Sequence, residues 1–301
     1  MASATVLTIG VFDGVHRGHQ EVLKRARIVA SGLGARVVAV TFHPHPAQLL
    51  APGRAPALLS NLEYRIELLK AAGADEVVVV EFDEALSKQS PEQFVDDVLM
   101  PLGDIKAIVV GENFRFGHRA TGDVTTLQDL GRSRGFSAEG LALIGDPELS
   151  WSSTRVRSLL LAGQVEAAND VLGRAHCVEG VVGHGDKRGR ELGYPTANLM
   201  VPSGTAIPSD GVYAGRLIVD PHTTSAVTYD AAISVGTNPQ FAGTERRVEA
   251  YAIDHVDLNL YDKPVAVQFL FRLRGQMVFD TVADLVAHMG QDVAKAKELL
   301  A

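Results

Sequence analysis

Two histidines three residues apart, His16 and His19, stand in the stretch TIGVFDGVHRGHQ (8–20) together with Asp13, Gly14 and Gly18. The stretch opens as an apolar run that reads as a buried strand, and it closes on residues that begin a helix. Glycine lets a backbone turn tightly and approach a ligand closely. A helix N-terminus offers free N–H groups and the positive end of the helix dipole, which suit a phosphate. Histidines three apart on a helical turn project toward one point. The pattern favours a phosphate site. The alternatives are solvated turn histidines, or a zinc site joined by His43 and His45 of FHPHP (42–46). Asp13 has two readings, a ligand contact or a cap on the N–H groups of its own turn.

A second cluster lies in GHGDKRGRELGYPTAN (183–198), which is basic and glycine-rich. The chain has no G-x-x-x-x-G-K-[ST] phosphate loop. Thr196 and Asn198 carry hard oxygen donors of the kind that hold Mg²⁺ when phosphates and water fill its other positions. Glu249, in RRVEAYAID (246–254), alternates with Val248 and Ala250 and so faces away from both. A carboxylate there is either a solvated residue or a base for a hydroxyl proton.

The elements that must position these groups fall into two patterns. Up to about residue 172, apolar runs (VLTIGVF, ARVVAVTF, EVVVVEF, IKAIVVGENF, EGLALIG) alternate with amphipathic segments. Strands apolar throughout and separated by helices predict a parallel sheet covered on both faces. Ser60 with Glu63, and Ser90 with Pro91 and Gln93, read as helix starts. A helix is expected from about Ser153 to Leu172, with Gly163 interrupting it. After Gly173 glycine becomes frequent and apolar residues alternate, which predicts antiparallel strands in a small barrel or sandwich, closed by a C-terminal helix.

The 301 residues suffice for two domains. A formal net charge of −8 argues against general nucleic-acid binding, which needs clustered cations. The single cysteine, Cys177, excludes an internal disulfide and a Cys-based zinc site. No signal-peptide pattern or membrane-length apolar run is present, so a soluble cytoplasmic protein is expected.

GVFDGVHRGH resembles the G-x-F-D-G-x-H-x-G-H signature of the nucleotidyltransferase superfamily, and more narrowly that of bacterial bifunctional riboflavin kinase/FMN adenylyltransferases, the FAD synthetases. FHPHP, GENFRFG (111–117) and WSSTRVRSLL (151–160) resemble further motifs of that family in the same order. GRELGYPTAN, PSDGVYAG (208–215), GTNPQF (236–241) and the Val248–Glu249 stretch resemble its kinase half.

The resemblance implies an α/β Rossmann-like nucleotidyltransferase domain over 1–173, a parallel sheet with flanking helices. It implies a six-stranded antiparallel β-barrel riboflavin kinase domain with a C-terminal helix over 174–301. ATP would phosphorylate riboflavin to FMN, and a second ATP would adenylylate FMN to FAD with release of pyrophosphate. By the same resemblance His16, His19 and Arg157 stabilise the reacting phosphate. Gly14, Gly18, Asn113, Ser153 and Thr154 bind nucleotide, while Phe42, His45 and Pro46 meet the flavin. Gly185, Lys187 and Arg188 belong to a phosphate-covering flap, Thr196 and Asn198 hold Mg²⁺-ATP, and Glu249 is the base. The expected partners are riboflavin, FMN and ATP, with no nucleic acid and no membrane; a weak homo-oligomer is left open. Trp151 and Gln240 depart from the family pattern. They keep open a chain with one activity, or a flavin or nucleotide sensor.

Overall fold

The computed structural model describes residues 3–142, 151–184, 192–237 and 246–301. The chain packs as two compact units. One holds residues 1–56 and 61–153, the other residues 57–60 and 154–301.

The first unit is a five-stranded parallel sheet built from β1 (Ala4–Ile9), β2 (Arg36–His43), β3 (Glu76–Glu81), β4 (Asp104–Gly111) and β5 (Ser137–Leu141), in the order β3-β2-β1-β4-β5. Its helices are α1 (Arg17–Leu33), α2 (Pro46–Leu50), α3 (Leu62–Ala71), α4 (Glu84–Ser87), α5 (Pro91–Phe94) and α6 (Val124–Arg134). The central strands are mostly apolar, with a few buried threonines, because both faces are covered. Val6 packs with Val22, Leu23 and Ala26 of α1, whereas Leu7 and Ile9 pack with Phe94, Leu127 and Leu130. Adjacent residues of one strand thus join opposite cores.

Ser90 caps α5 as expected, its hydroxyl accepting from Gln93 N while its own N donates to Gln93 Oε1. The other expected start is corrected. Asn61, not Ser60, caps α3, with Asn61 Oδ1 accepting from Tyr64 N at 2.8 Å. Ser60 is a buried residue of the 57–60 segment, which belongs to the second unit.

In the second unit the helix expected over 153–172 is two helices, α7 (Ser153–Leu161) and α8 (Val165–Leu172). Gly163 divides them at φ +72°, where a Cβ would lie 2.4 Å from the Arg272 guanidinium. The packing division falls at Ser153/Thr154 because these helices bond to the barrel. Ser209 N donates to Leu160 O, Arg272 N to Glu166 Oε1, and Asn169 Nδ2 to Phe269 O. The 57–60 segment bonds here too, with Leu58 N donating to Gly204 O and Ala206 N to Leu58 O.

The barrel strands are β6 (His176–Gly183), β7 (Ala197–Met200), β8 (Gly211–Val219), β9 (Val227–Thr237), β10 (Arg246–Ala252) and β11 (Pro264–Arg274). They close antiparallel in the order β10-β7-β6-β11-β8-β9. The last helix, α9 (Val282–Leu300), covers part of the outer face, where Ala296 packs with Ala214, Tyr251 and Ile253.

Cys177 is buried on β6. Burial, helped by Glu179 and opposed by Arg174, pushes its thiol from 9.0 up to about 12. The folded form keeps a proton that the unfolded chain loses near 9.0, so this group's contribution to stability is full below that pH and falls as pH rises toward 12. A thiol reagent applied at mildly alkaline pH should label Cys177 only as fast as the barrel opens. Rapid labelling of the native protein would contradict this burial.

Candidate active sites

In the first unit, β1 lies between β2 and β4, so the winding of the sheet reverses beside its carboxyl end. Ligands of open α/β sheets bind at that reversal. Three of the expected motifs follow the carboxyl ends of neighbouring strands: DGVHRGH after β1, the FHPHP loop at the end of β2, and GENFRFG at the end of β4.

The β1–α1 turn is strained and held by burial. Phe12 (φ 52°) and Val15 (φ 37°) occupy the left-handed region beside Gly14 (φ 77°). Non-glycine residues stay there only where their surroundings impose it, and Phe12 and Val15 are both buried. Gln20 Nε2 donates to Val15 O and Ser153 Oγ donates to Asp13 O, which ties the turn from two sides.

His16 is the N-cap residue of α1, and its ring stacks on that of His19 with centroids 3.6 Å apart. The edge of Phe12 meets His19 at 5.1 Å. The two histidines therefore converge as their spacing predicts. Gly18 also leaves room for its neighbours. A Cβ there would stand 3.1 Å from the His16 ring and 3.2 Å from Trp151 O.

Other expected residues have structural partners. Ser153 gives its hydroxyl to the turn. Asn113 is exposed after β4, folded over Gly111, where a Cβ would meet its Oδ1 at 3.1 Å. His45 Nδ1 accepts from Ala47 N at 3.1 Å and caps α2, with Pro46 in the first helical position. Phe42 packs against Phe82 and Phe94 at the edge of the core and supports the loop from below. Thr154, which is exposed, and Arg157 belong to the second unit, where Arg157 Nε donates to Ala57 O at 2.6 Å. Asp13 is buried inside its turn. It is buried 3.9 Å from the guanidinium of Arg65, a residue the sequence pattern did not single out.

In the second unit the site is a row of side chains across the barrel wall. Asn198 of β7 stands opposite Glu249 of β10, and Glu249 stands opposite Ser234 of β9. Directly paired residues share a face. The neighbouring row, Leu199, Val248 and Val235, is buried in the barrel interior, so the polar row faces outward. Thr196, two residues before Asn198, donates to Glu249 Oε2 at 3.4 Å.

Outside the wall a cavity of about 320 Å³ lies between the barrel and α9. Thr196, Ser234 and Glu249 line one side of it, and Tyr251, Met289 and Val293 contribute apolar surface. A pocket of this size and lining suits a small, largely apolar ligand. Asn198 also lines a second hollow, of about 610 Å³, with His184 and Arg247. Thus the polar row serves both spaces. Arg274 and Asp292 form a two-pronged ion pair, Nη2 to Oδ2 at 2.7 Å and Nε to Oδ1 at 3.0 Å, that fastens α9 to β11. Sequence reading did not find that pair, whose partners lie 18 residues apart on different elements.

The donor set of Thr196, Asn198 and Glu249 is all oxygen, which fits Mg²⁺. Among the described residues no three His, Cys, Asp or Glu groups gather as a metal site. Gly185, Lys187, Arg188 and Gln240 lie outside the described residues.

Comparison with known proteins follows the same division. The FAD synthetase family model matches residues 1–155, and the riboflavin kinase model matches residues 172–300. The bifunctional riboflavin kinase/FMN adenylyltransferase of Bacillus subtilis is 30% identical over 97% of this chain and 91% of its own. The Pseudomonas fluorescens protein of the same name is 35% identical over 98% and 93%. A crystal structure from Streptococcus pneumoniae called a macrolide-efflux protein superposes with a TM-score of 0.87 at 30% identity, covering 98% of this chain and 94% of that one. The efflux name is that protein's own; among the described residues here, no helix is long and apolar enough to cross a membrane. With both family models matched in order and relatives aligned over nearly its whole length, this chain belongs to the family of bifunctional riboflavin kinase/FMN adenylyltransferases.

Proposed function

We propose that the second unit transfers the γ-phosphate of ATP to riboflavin and that the first joins the resulting FMN to the adenylyl group of another ATP. The functional division falls after residue 173, giving an adenylyltransferase half (1–173) and a kinase half (174–301). The observation that carries the reading is the row Asn198–Glu249–Ser234. It has a cavity of about 320 Å³ beside Glu249 and a second hollow beside Asn198.

In the kinase half, a ribityl hydroxyl of riboflavin attacks the γ-phosphorus, Glu249 takes the hydroxyl proton, and ADP leaves. Glu249 already accepts a hydrogen bond from a hydroxyl, that of Thr196. Thr196 and Asn198 are the residues that would hold Mg²⁺, which when bound neutralises triphosphate charge. Gly185, Lys187 and Arg188 keep their flap role on the motif alone.

In the adenylyltransferase half, a phosphate oxygen of FMN attacks the α-phosphorus of ATP, and pyrophosphate leaves. No substrate proton has to be removed, so the work is alignment and charge stabilisation. His16 and His19 stand at the N-terminus of α1, where ring N–H groups, backbone N–H groups and the helix dipole all favour an anion. Asn113 contacts the substrate's polar edge, and Gly14 and Gly18 keep the backbone close to the phosphate. Thr154 and Arg157 stay in the proposal as phosphate ligands on the motif alone. His45 and Pro46 stay as loop residues near the flavin. The partners are small molecules, in the cytoplasm, and a weak homo-oligomer is compatible with this scheme.

A chromatographic time course with riboflavin, ATP and Mg²⁺ tests the whole reading: FMN should rise first and then convert to FAD. His19→Ala should lower FAD formation by about 100-fold or more while FMN formation continues. Glu249→Ala should lower FMN formation by a similar ~100-fold or more and leave FAD formation from supplied FMN. Loss of both activities in either folded variant would contradict two separate sites. Gly18→Ala should displace the His16 ring and slow FAD formation alone; an unchanged rate would mean that the seat of His16 is irrelevant to the reaction.

A further inference from the structure

Arg65 is among the largest fully buried side chains of the described residues, at 1% exposure within α3. Its Nη1 donates to Val11 O at 3.2 Å and to Phe42 O at 3.3 Å, carbonyls at the carboxyl ends of β1 and β2. Its Nη2 lies 3.9 Å from Asp13 Oδ1, and both side chains are 2% exposed. Burial pulls the guanidinium below its ordinary value, and Asp13 pulls it back.

Such a pair is a poor device for stability. Removing two charges from water commonly costs more than their attraction returns, and an apolar pair of the same volume packs as well. What the planar guanidinium supplies is geometry, with several donors in fixed directions. Here the fork reaches the end of β1, the end of β2 and the aspartate inside the β1–α1 turn. That turn is strained at Phe12 and Val15, and it ends on His16.

We propose that Arg65 is a positioning residue for adenylyl transfer, holding Asp13 and the ends of β1 and β2 so that His16 and His19 keep their stacked arrangement. The proposal rests on the reading that these histidines serve adenylyl transfer. Arg65 is buried beneath the turn, so its loss should alter the rate of the bound complex rather than substrate affinity.

Arg65→Lys retains the charge but loses the fork, and it avoids leaving Asp13 buried without a cation. In this variant kcat for FAD formation should fall about 10- to 100-fold, with KM for FMN and ATP changed by less than about threefold. Riboflavin phosphorylation by the same preparation should be unchanged, as an internal measure of the folded second unit. Asp13→Asn should give the same pattern, and the double variant should be no slower than the worse single one, since both act through one contact. Wild-type kcat in Arg65→Lys, beside a crippled His19→Ala, would overturn the positioning role and leave the site assignment standing. A rise in KM with kcat unchanged would overturn it as well. Undiminished FAD formation in His19→Ala would remove the site assignment, and this proposal with it.

Discussion

Close packing on both sides of a strand is the constraint from which both sites follow. In the central strands of the first unit, adjacent residues enter opposite cores, so each side chain along β1 between Val6 and Ile9 is enclosed. Nothing on such a strand is free for chemistry, and reactive groups must gather where the strand ends. The barrel obeys the same rule turned sideways. Its interior is filled by rows such as Leu199, Val248 and Val235, and the polar side chains Asn198, Glu249 and Ser234 form the outward row between them. A register slip of one residue would turn Glu249 into the barrel and Val248 outward.

That constraint makes the end of β1 expensive to organise. The chain must leave a buried strand and deliver two histidines to a helix N-terminus within a few residues. It does so through left-handed residues that are not all glycine, and burial of Phe12 and Val15 compensates for their strain. Asp13, Ser153 and Gln20 hold the turn from different directions. The kinase half needs less strain, because strand pairing alone puts Asn198, Glu249 and Ser234 abreast. Its cavity depends instead on how α9 is fastened over the barrel, through the Arg274–Asp292 pair and the packing around Ala296.

Local chemistry explains which features were legible. His16 and His19 are close in sequence, and they meet across the start of α1, with His16 extended at the N-cap and His19 in the first turn. The break at Gly163 and the capping box at Ser90 are equally local. At the start of α3 the sequence offers Ser60 and Asn61, both good caps, and tertiary packing draws Ser60 into a segment of the other unit, leaving Asn61 to cap. The motif resemblance sets Phe42 beside a flavin, and only the fold shows its neighbours Phe82 and Phe94, which come from distant parts of the chain.

The sequence by itself determined the order of elements, the two-part organisation and the side of its strand that Glu249 takes, because helix and strand periods are short-range and repeat; its motifs, by resemblance, pointed to the family. Tertiary structure alone decided what surrounds those residues. It buried Arg65 beneath the turn, gave the Ser153 hydroxyl to Asp13 O, and set α9 over a cavity beside Glu249. An arginine on an amphipathic helix looks like a solvated residue until the partner strands are in place. Burial is a property of the assembled neighbours, and no residue carries it in its own name.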